Sequence, residues 1–205
     1  MDSLTVVIAS ANYGHLAAHC IESILCQTQK PKKILFVDDA FGDCKHLTEK
    51  YDLEYLFREN NLGVLDNFQD ILFNHVSTER VLFIGADNWL RPDAIELLSK
   101  KTADIVTYDI VITGTKRKNI LSGNKDCYPY QGDFYWPRVN KHHGSIIYSV
   151  NKAKDCGGYV KGGTWLLPAE DLGLWDRLIG SGATVDHVPE ALLYYRRHEH
   201  NFFKY

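Results

Sequence analysis

The stretch "VLFIGADNWLRPDAIELL", Val81 to Leu98, decides the fold. Four apolar residues run into Gly85 and Ala86, Asp87 and Asn88 follow side by side, and Pro92 precedes an amphipathic run. A short apolar run bounded by turn residues is the pattern of a strand buried on both faces, and Pro suits the first turn of a helix. Strand, turn and helix in succession form the repeating unit of an open α/β sheet. In isolation Asp87 and Asn88 are turn chemistry. At the carboxyl end of a strand in such a sheet they stand where ligands bind, and a metal or phosphate ligand is the sharper reading.

Upstream, "LTVVIAS" (Leu4 to Ser10), "KKILFVDD" (Lys32 to Asp39) and "LEYLF" (Leu53 to Phe57) have the same strand character. Between the first two, Leu16, Cys20 and Ile24 share a stripe beside Ala17, Ile21 and Leu25, the spacing of a helix packed on a sheet, which Pro31 ends. A second helix is expected from Val64 to Asn74, where Leu65, Phe68 and Leu72 share a face. This alternation predicts a mainly parallel α/β sheet with helices on both faces.

After Leu98 the pattern changes. "ADIVTYDIVITGTKRKNIL" predicts a hairpin with its tip near Lys116 to Lys118, and "HGSIIYSV" predicts another strand. Tyr128, Tyr130, Phe134, Tyr135 and Trp136 make an aromatic, turn-rich segment. A helix is expected over Ala169 to Ile179, a strand near Ala183 to His187, and then the closing "EALLYYRRHEHN". No repeat or low-complexity linker divides the chain, so one domain in two halves is expected.

The 205 residues, 45% hydrophobic and 24% charged, have ordinary globular composition and can bury a full core. A net charge of -3 with no basic block beyond Lys116 to Lys118 argues against nucleic acid as a partner. Five cysteines (Cys20, Cys26, Cys44, Cys127, Cys156) without a C-x-x-C pair suggest neither a disulfide framework nor a zinc knuckle, and favour a reducing compartment. No apolar run approaches the roughly 20 residues of a membrane helix, and "MDSLTVVIAS" lacks signal-peptide character, so a soluble, cytoplasmic chain without a transmembrane segment is expected.

Three polar clusters carry the chemistry: Asp38 with Asp39, Asp87 with Asn88, and Glu170 with Asp171. In a parallel sheet the first two share an edge. Neither G-x-G-x-x-G nor G-x-x-x-x-G-K-[ST] occurs, so a bound nucleotide needs another way to neutralise its diphosphate, and a divalent ion held by a carboxylate is the usual one. Each cluster also has a plainer reading. Asp38 and Asp39 fit a capping turn before "FGDCKHL", and Glu170 and Asp171 fit a helix N-terminus. His198 and His200 beside Arg196 and Arg197 fit an exposed basic tail. His142 and His143 fit packing or a donor site, and Trp165 in "KGGTWLLP" fits a core or a mobile lid.

Joint order along one chain favours the functional reading. "VVIASANYGHLAAHCIESILCQTQKPKKILFVDD" resembles the opening of family 2 glycosyltransferases. "RENNLGVLDNFQDIL" is similar to that family's Asn-x-Gly segment, "LFIGADNWLRPDAIELL" to its Asp-x-Asp segment, and "AEDLGLWDRLIGSG" to its Glu-Asp segment. The resemblance implies a GT-A, Rossmann-like fold over 1–205, with a nucleotide-sugar half (1–98) and an acceptor half (99–205). It implies that Ala9, Ser10, Asp38 and Asp39 bind nucleobase and ribose, with Asn61 and Gly63 nearby. Asp87 becomes the metal ligand for Mn²⁺ or Mg²⁺, Asp171 the catalytic base, and His198 a phosphate or metal contact. The family's first Asp of Asp-x-Asp is Ala86 here. A short virus-encoded glycosyltransferase domain of large algal viruses is similar in size and in this substitution.

The expected activity is metal-dependent, inverting transfer of a sugar from a nucleoside-diphosphate-sugar, a UDP-sugar by the resemblance, to a hydroxyl of a glycan or glycoprotein acceptor. The aromatics from Tyr128 to Trp136 and Trp165 would form the acceptor side. A sugar-nucleotide nucleotidyltransferase and a non-catalytic carbohydrate-binding protein are the alternatives. The first would carry a glycine-rich basic loop, which "ASANYGHLAAH" is not, and the second is favoured if Ala86 has cost the metal.

Overall fold

β1 (Leu4–Ser10) is buried along both faces because it lies inside the sheet, parallel to β2 (Lys33–Asp38) on one side and to β4 (Arg80–Gly85) on the other. Strands covered on both faces carry continuous apolar runs, which is why these three are plain in the sequence. The computed structural model describes residues 4–114, 133–139, 141, 144–160, 170–198 and 200–201. The expectations for Lys116 to Lys118, Tyr128, Tyr130, His142, His143 and Trp165, and for the side chains of Phe134 and Glu170, lie outside the described residues.

The sheet has the order β3-β2-β1-β4-β8-β6-β9-β5, with β7 (Phe134–Trp136) paired to β6. β3 (Glu54–Phe57) continues the parallel half beyond β2. β8 (Ile147–Ser149) runs antiparallel between β4 and β6 (Ile105–Gly114). β9 (Val185–Arg197) returns parallel to β6, and β5 (Trp89–Leu90) closes the edge antiparallel to β9. Strands β1, β2, β3, β4, β6 and β9 thus share one direction, so the sheet is mainly parallel.

Alternate side chains send the core to both faces. Val6, Ile8, Phe36, Leu82 and Ile84 pack with α1 (Gly14–Leu25), α2 (Lys45–Tyr51) and α4 (Ala94–Ser99). Val7, Leu35, Val37, Val81 and Phe83 pack on the opposite face. There they meet α3 (Gly63–Asp70) with its following π turn Ile71–His75, α5 (Val150–Asp155) and α6 (Glu170–Gly180). On α1 the predicted stripe holds, with Ala17, Cys20, Ile21 and Ile24 buried.

Three expectations are adjusted. α1 ends at Leu25, well before Pro31, and Gln27 rather than the proline organises the connection beyond the helix. The first arm of the Ala103 to Leu121 hairpin is β6, whose antiparallel neighbours among the described residues are β7 and β8. The strand near Ala183 to His187 and the closing segment merge into β9. Its pairing to β6 slips where Tyr108 faces Val188 but Asp109 faces Ala191. Pro189 lies in that slip, where a residue without an N–H cannot complete the ladder.

Candidate active site

The parallel register aligns Ser10 with Asp38 and Ala9 with Gly85. It runs one step further through Asp39 N–H to Ser10 O and Ala86 N–H to Ala9 O, both 2.9 Å. Ala9, Ser10, Asp38, Asp39 and Asp87 therefore reach one edge of the sheet, its carboxyl edge.

Asp38 is fully buried and shapes the loop after β2. Its Oδ1 accepts from Phe41 N–H (3.0 Å) and Gly42 N–H (3.2 Å), and its Oδ2 accepts from the Tyr55 hydroxyl (2.9 Å). Asp39 reaches across to the start of α3, accepting Leu62 N–H at 2.9 Å and Gly63 N–H at 3.1 Å. A carboxylate there satisfies helix N–H groups that have no partner within the helix. Asn61 joins the same knot, donating to Asp39 O (3.1 Å) and accepting Gly63 N–H (3.0 Å). Gly63 has φ +73, a left-handed conformation that favours glycine at this junction. Asp38, Asp43 and Cys44 also place donor atoms within 4.8 Å of one another. These atoms are tied into a hydrogen-bonded joint with Gly14 N–H and Ser10, and burial pushes the Cys44 thiol up to about 12, so it is an S–H group.

Asp87 is held differently. Its Oδ2 accepts from Asn201 Nδ2 at 3.0 Å and lies 3.1 Å from His198 Nε2, both in the segment just after β9. Its Oδ1 folds back over β4, where a Cβ on Gly85 would lie 2.6 Å away. Arg196 fastens the same turn through its backbone N–H to Asn88 Oδ1 (2.9 Å) and its guanidinium to Asp87 O (2.9 Å). Burial raises the Asp87 carboxyl above its ordinary value, against the opposing pull of His198. Among the described residues no Lys or Arg forms an ion pair with Asp87, and His198 Nδ1 is buried without a hydrogen-bond partner. A buried carboxylate beside an imidazole, with no direct ion pair to Lys or Arg, fits a divalent cation.

Asp171 enters from the other half. β8 runs against β4 with Leu82 opposite Ile147, so the residues before β8 point towards the carboxyl end of β4. Gly144 lies there, and a Cβ built on it would come within 3.3 Å of Asp171 Oδ2. Asp171, half-buried in the first turn of α6, thus approaches the same edge from the α6 face.

The family motif segments acquire structural reasons. Gln27 is buried and bridges α1 to the β4–α4 connection through Ser23 O, Arg91 O and the Ile95 N–H. Ser23 Oγ accepts the N–H of Leu90. A model of the glycosyl transferase family 2 domain matches residues 5–155. The chain belongs to glycosyl transferase family 2. A curated relative, the glycosyltransferase GlyA of Streptococcus pneumoniae serotype 4, is 30% identical over 145 residues, covering 67% of this chain and 20% of its own length. The chain therefore spans about a fifth of that curated relative. The crystal structure of S. aureus TarS 1-349 is similar with a TM-score of 0.71 at 18% identity, over 96% of this chain and 60% of TarS 1-349. Its complex with UDP-GlcNAc gives 0.71 at 17% identity, over 98% and 60%. These structures share the GT-A fold with this family 2 chain.

Sequence reasoning missed Asn201 and Arg196 as parts of the site. Their only signal was a polar cluster at the end of β9 and just beyond it.

Proposed function

We propose that the chain transfers a sugar from a UDP-sugar to a hydroxyl of a glycan or glycoprotein acceptor, with inversion and in dependence on a divalent metal. The observation carrying this reading is that Asp87, with His198 against it, and Asp171 approach one carboxyl edge from opposite halves. The complexes of the TarS neighbour with UDP-GlcNAc and with UDP support uridine as the nucleoside.

In this reading residues 1–98 bind the donor and 99–205 the acceptor. Ala9, Ser10, Asp38, Asp39, Asn61 and Gly63 line the nucleoside end. Asp87 and His198 would hold Mn²⁺ or Mg²⁺, whose charge, when bound, offsets that of the diphosphate. Asp171 takes the proton from the acceptor hydroxyl as that oxygen attacks the anomeric carbon on the side opposite the nucleoside diphosphate. Tyr135, exposed on β7, offers a flat face to the acceptor, while the Arg138 guanidinium lies 4.4 Å over the Trp136 ring. A cytoplasmic location belongs to the same proposal; among the described residues no helix is long and apolar enough to cross a membrane.

A melting series tests the donor site. UDP with Mn²⁺ should raise the melting temperature and EDTA should remove most of the rise, since a ligand at 100 times its Kd adds about 2.7 kcal/mol. Transfer or hydrolysis across a panel of nucleotide-sugars then separates an enzyme from a carbohydrate-binding protein, the reading favoured if Ala86 has cost the metal.

A further inference from the structure

Counted back from Asp87, the first acid of an Asp-x-Asp falls at Gly85, and neither Gly85 nor the buried Ala86 has a side chain that can hold or orient anything. Asp87 nevertheless keeps a fixed carboxylate, and the group that fixes it is Asn201, which is 4% exposed. The Asn201 amide can stand only one way round. Its Oδ1 accepts the His198 N–H at 2.7 Å, and its Nδ2 donates to Arg196 O at 3.0 Å and to Asp87 Oδ2 at 3.0 Å. The same side chain therefore sets the turn that carries His198 and holds one oxygen of Asp87, while Asp87 Oδ1 receives none of these donors. Tyr13 fastens the segment from the opposite side, its hydroxyl donating to His200 O at 2.9 Å and its ring meeting the His198 ring edge-on.

We propose that Asn201 is the positioning residue of the cation site, standing beside Asp87 where Gly85 and Ala86 offer no polar side chain and presenting Asp87 and His198 together to a divalent metal. This rests on the metal-dependent reading above. Groups that orient metal ligands in this way are typically worth about 10–100-fold in metal affinity. The position also makes a distinctive prediction. A carboxylate at residue 201 would sit about as close to Asp87 as the amide does, repelling it without metal and adding an oxygen ligand with metal.

The test uses Mn²⁺ titration followed by electron paramagnetic resonance, and melting with EDTA or Mn²⁺, each with and without UDP. Asn201→Ala should weaken Mn²⁺ binding at least about 10-fold. Asn201→Asp should melt lower than the parent in EDTA and gain more from Mn²⁺ than the parent does. An Asn201→Asp protein that loses the same number of degrees with and without Mn²⁺ overturns the proposal and leaves Asn201 as a strut of the segment. If Asn201→Asp does not fold, the Asn201→Ala titration decides, and parent-like Mn²⁺ affinity there also overturns it. The underlying metal reading fails separately, when Asp87→Ala binds Mn²⁺ as the parent does.

Discussion

His198 Nε2 stands 3.1 Å from Asp87 Oδ2 across a separation of 111 residues, joining the end of β4 to the segment after β9. That contact makes the proposed cation site a property of the whole sheet. Asp87→Asn should abolish the Mn²⁺-dependent part of UDP binding and reduce transfer with it. Isothermal titration of UDP with and without Mn²⁺ checks this, and an unchanged Mn²⁺ response would remove Asp87 from the site.

Asp171→Asn separates binding from chemistry. The amide preserves size but cannot take a proton, so transfer should fall by about 10²–10⁴-fold while UDP affinity stays within about twofold. Steady-state transfer and UDP titration on the same preparation test it. Near-normal transfer would leave Asp171 as a helix-start carboxylate.

Gly85→Ala should disturb the site more than the fold. The new Cβ would lie 2.6 Å from Asp87 Oδ1 and 3.1 Å from Asn88 Nδ2, displacing the carboxylate that folds over that position. Its melting point in EDTA should stay close to the parent's, and the rise produced by UDP with Mn²⁺ should shrink.

Asp38 and Asp39 should differ in stability cost. Asp38→Ala removes the bonds from Phe41 N–H, Gly42 N–H and the Tyr55 hydroxyl, each worth about 0.5–1.5 kcal/mol net, so a loss on the order of 3 kcal/mol is expected. Asp39→Ala frees two N–H groups at the start of α3, a capping loss of about 1 kcal/mol. Urea denaturation ranks the two, and the reverse order would contradict the assigned contacts.

Asp104 gives a pH signature. The Thr184 N–H donates to its carboxylate at 2.9 Å and holds its pKa below the ordinary value, with the Thr184 hydroxyl adding a second bond. A depressed carboxyl contributes stability above the unfolded pKa of about 3.9 and loses it as pH falls through the lower folded value. Asp104→Asn should therefore be less stable than the parent at pH 7, with the gap closing below about pH 4. Parallel urea curves across that range measure it.

The parallel half was legible because burial on both faces leaves unbroken apolar runs in β1, β2 and β4, and the acids after β2 and β4 announce the edge. β5 escaped notice because a two-residue strand has no periodicity, and α2 because only Leu47 of its seven residues is buried. Pro189 made β9 look like two pieces, although the slip against Asp109 accommodates it within one strand. In the site, Asp38, Asp39 and Asp87 stood out by position alone. Asn201 did not, because an asparagine after a strand is ordinary until the fold carries it across 114 residues to a buried carboxylate.

β9 bears on the history of each molecule as well as its shape. β1 to β4 pair largely among themselves in parallel order, whereas the Asp87 clamp closes only after β9 has aligned along β6 and paired Tyr194 with Trp89 of β5. During synthesis the acidic edge of β1 to β4 can take form early, while contacts of such long sequence separation come late. A stalled or clipped chain ending before residue 198 would retain the acidic edge but lack the imidazole beside Asp87. Mn²⁺ retention would then serve as a molecular certificate of completed assembly, distinguishing finished copies from arrested ones in a mixed preparation.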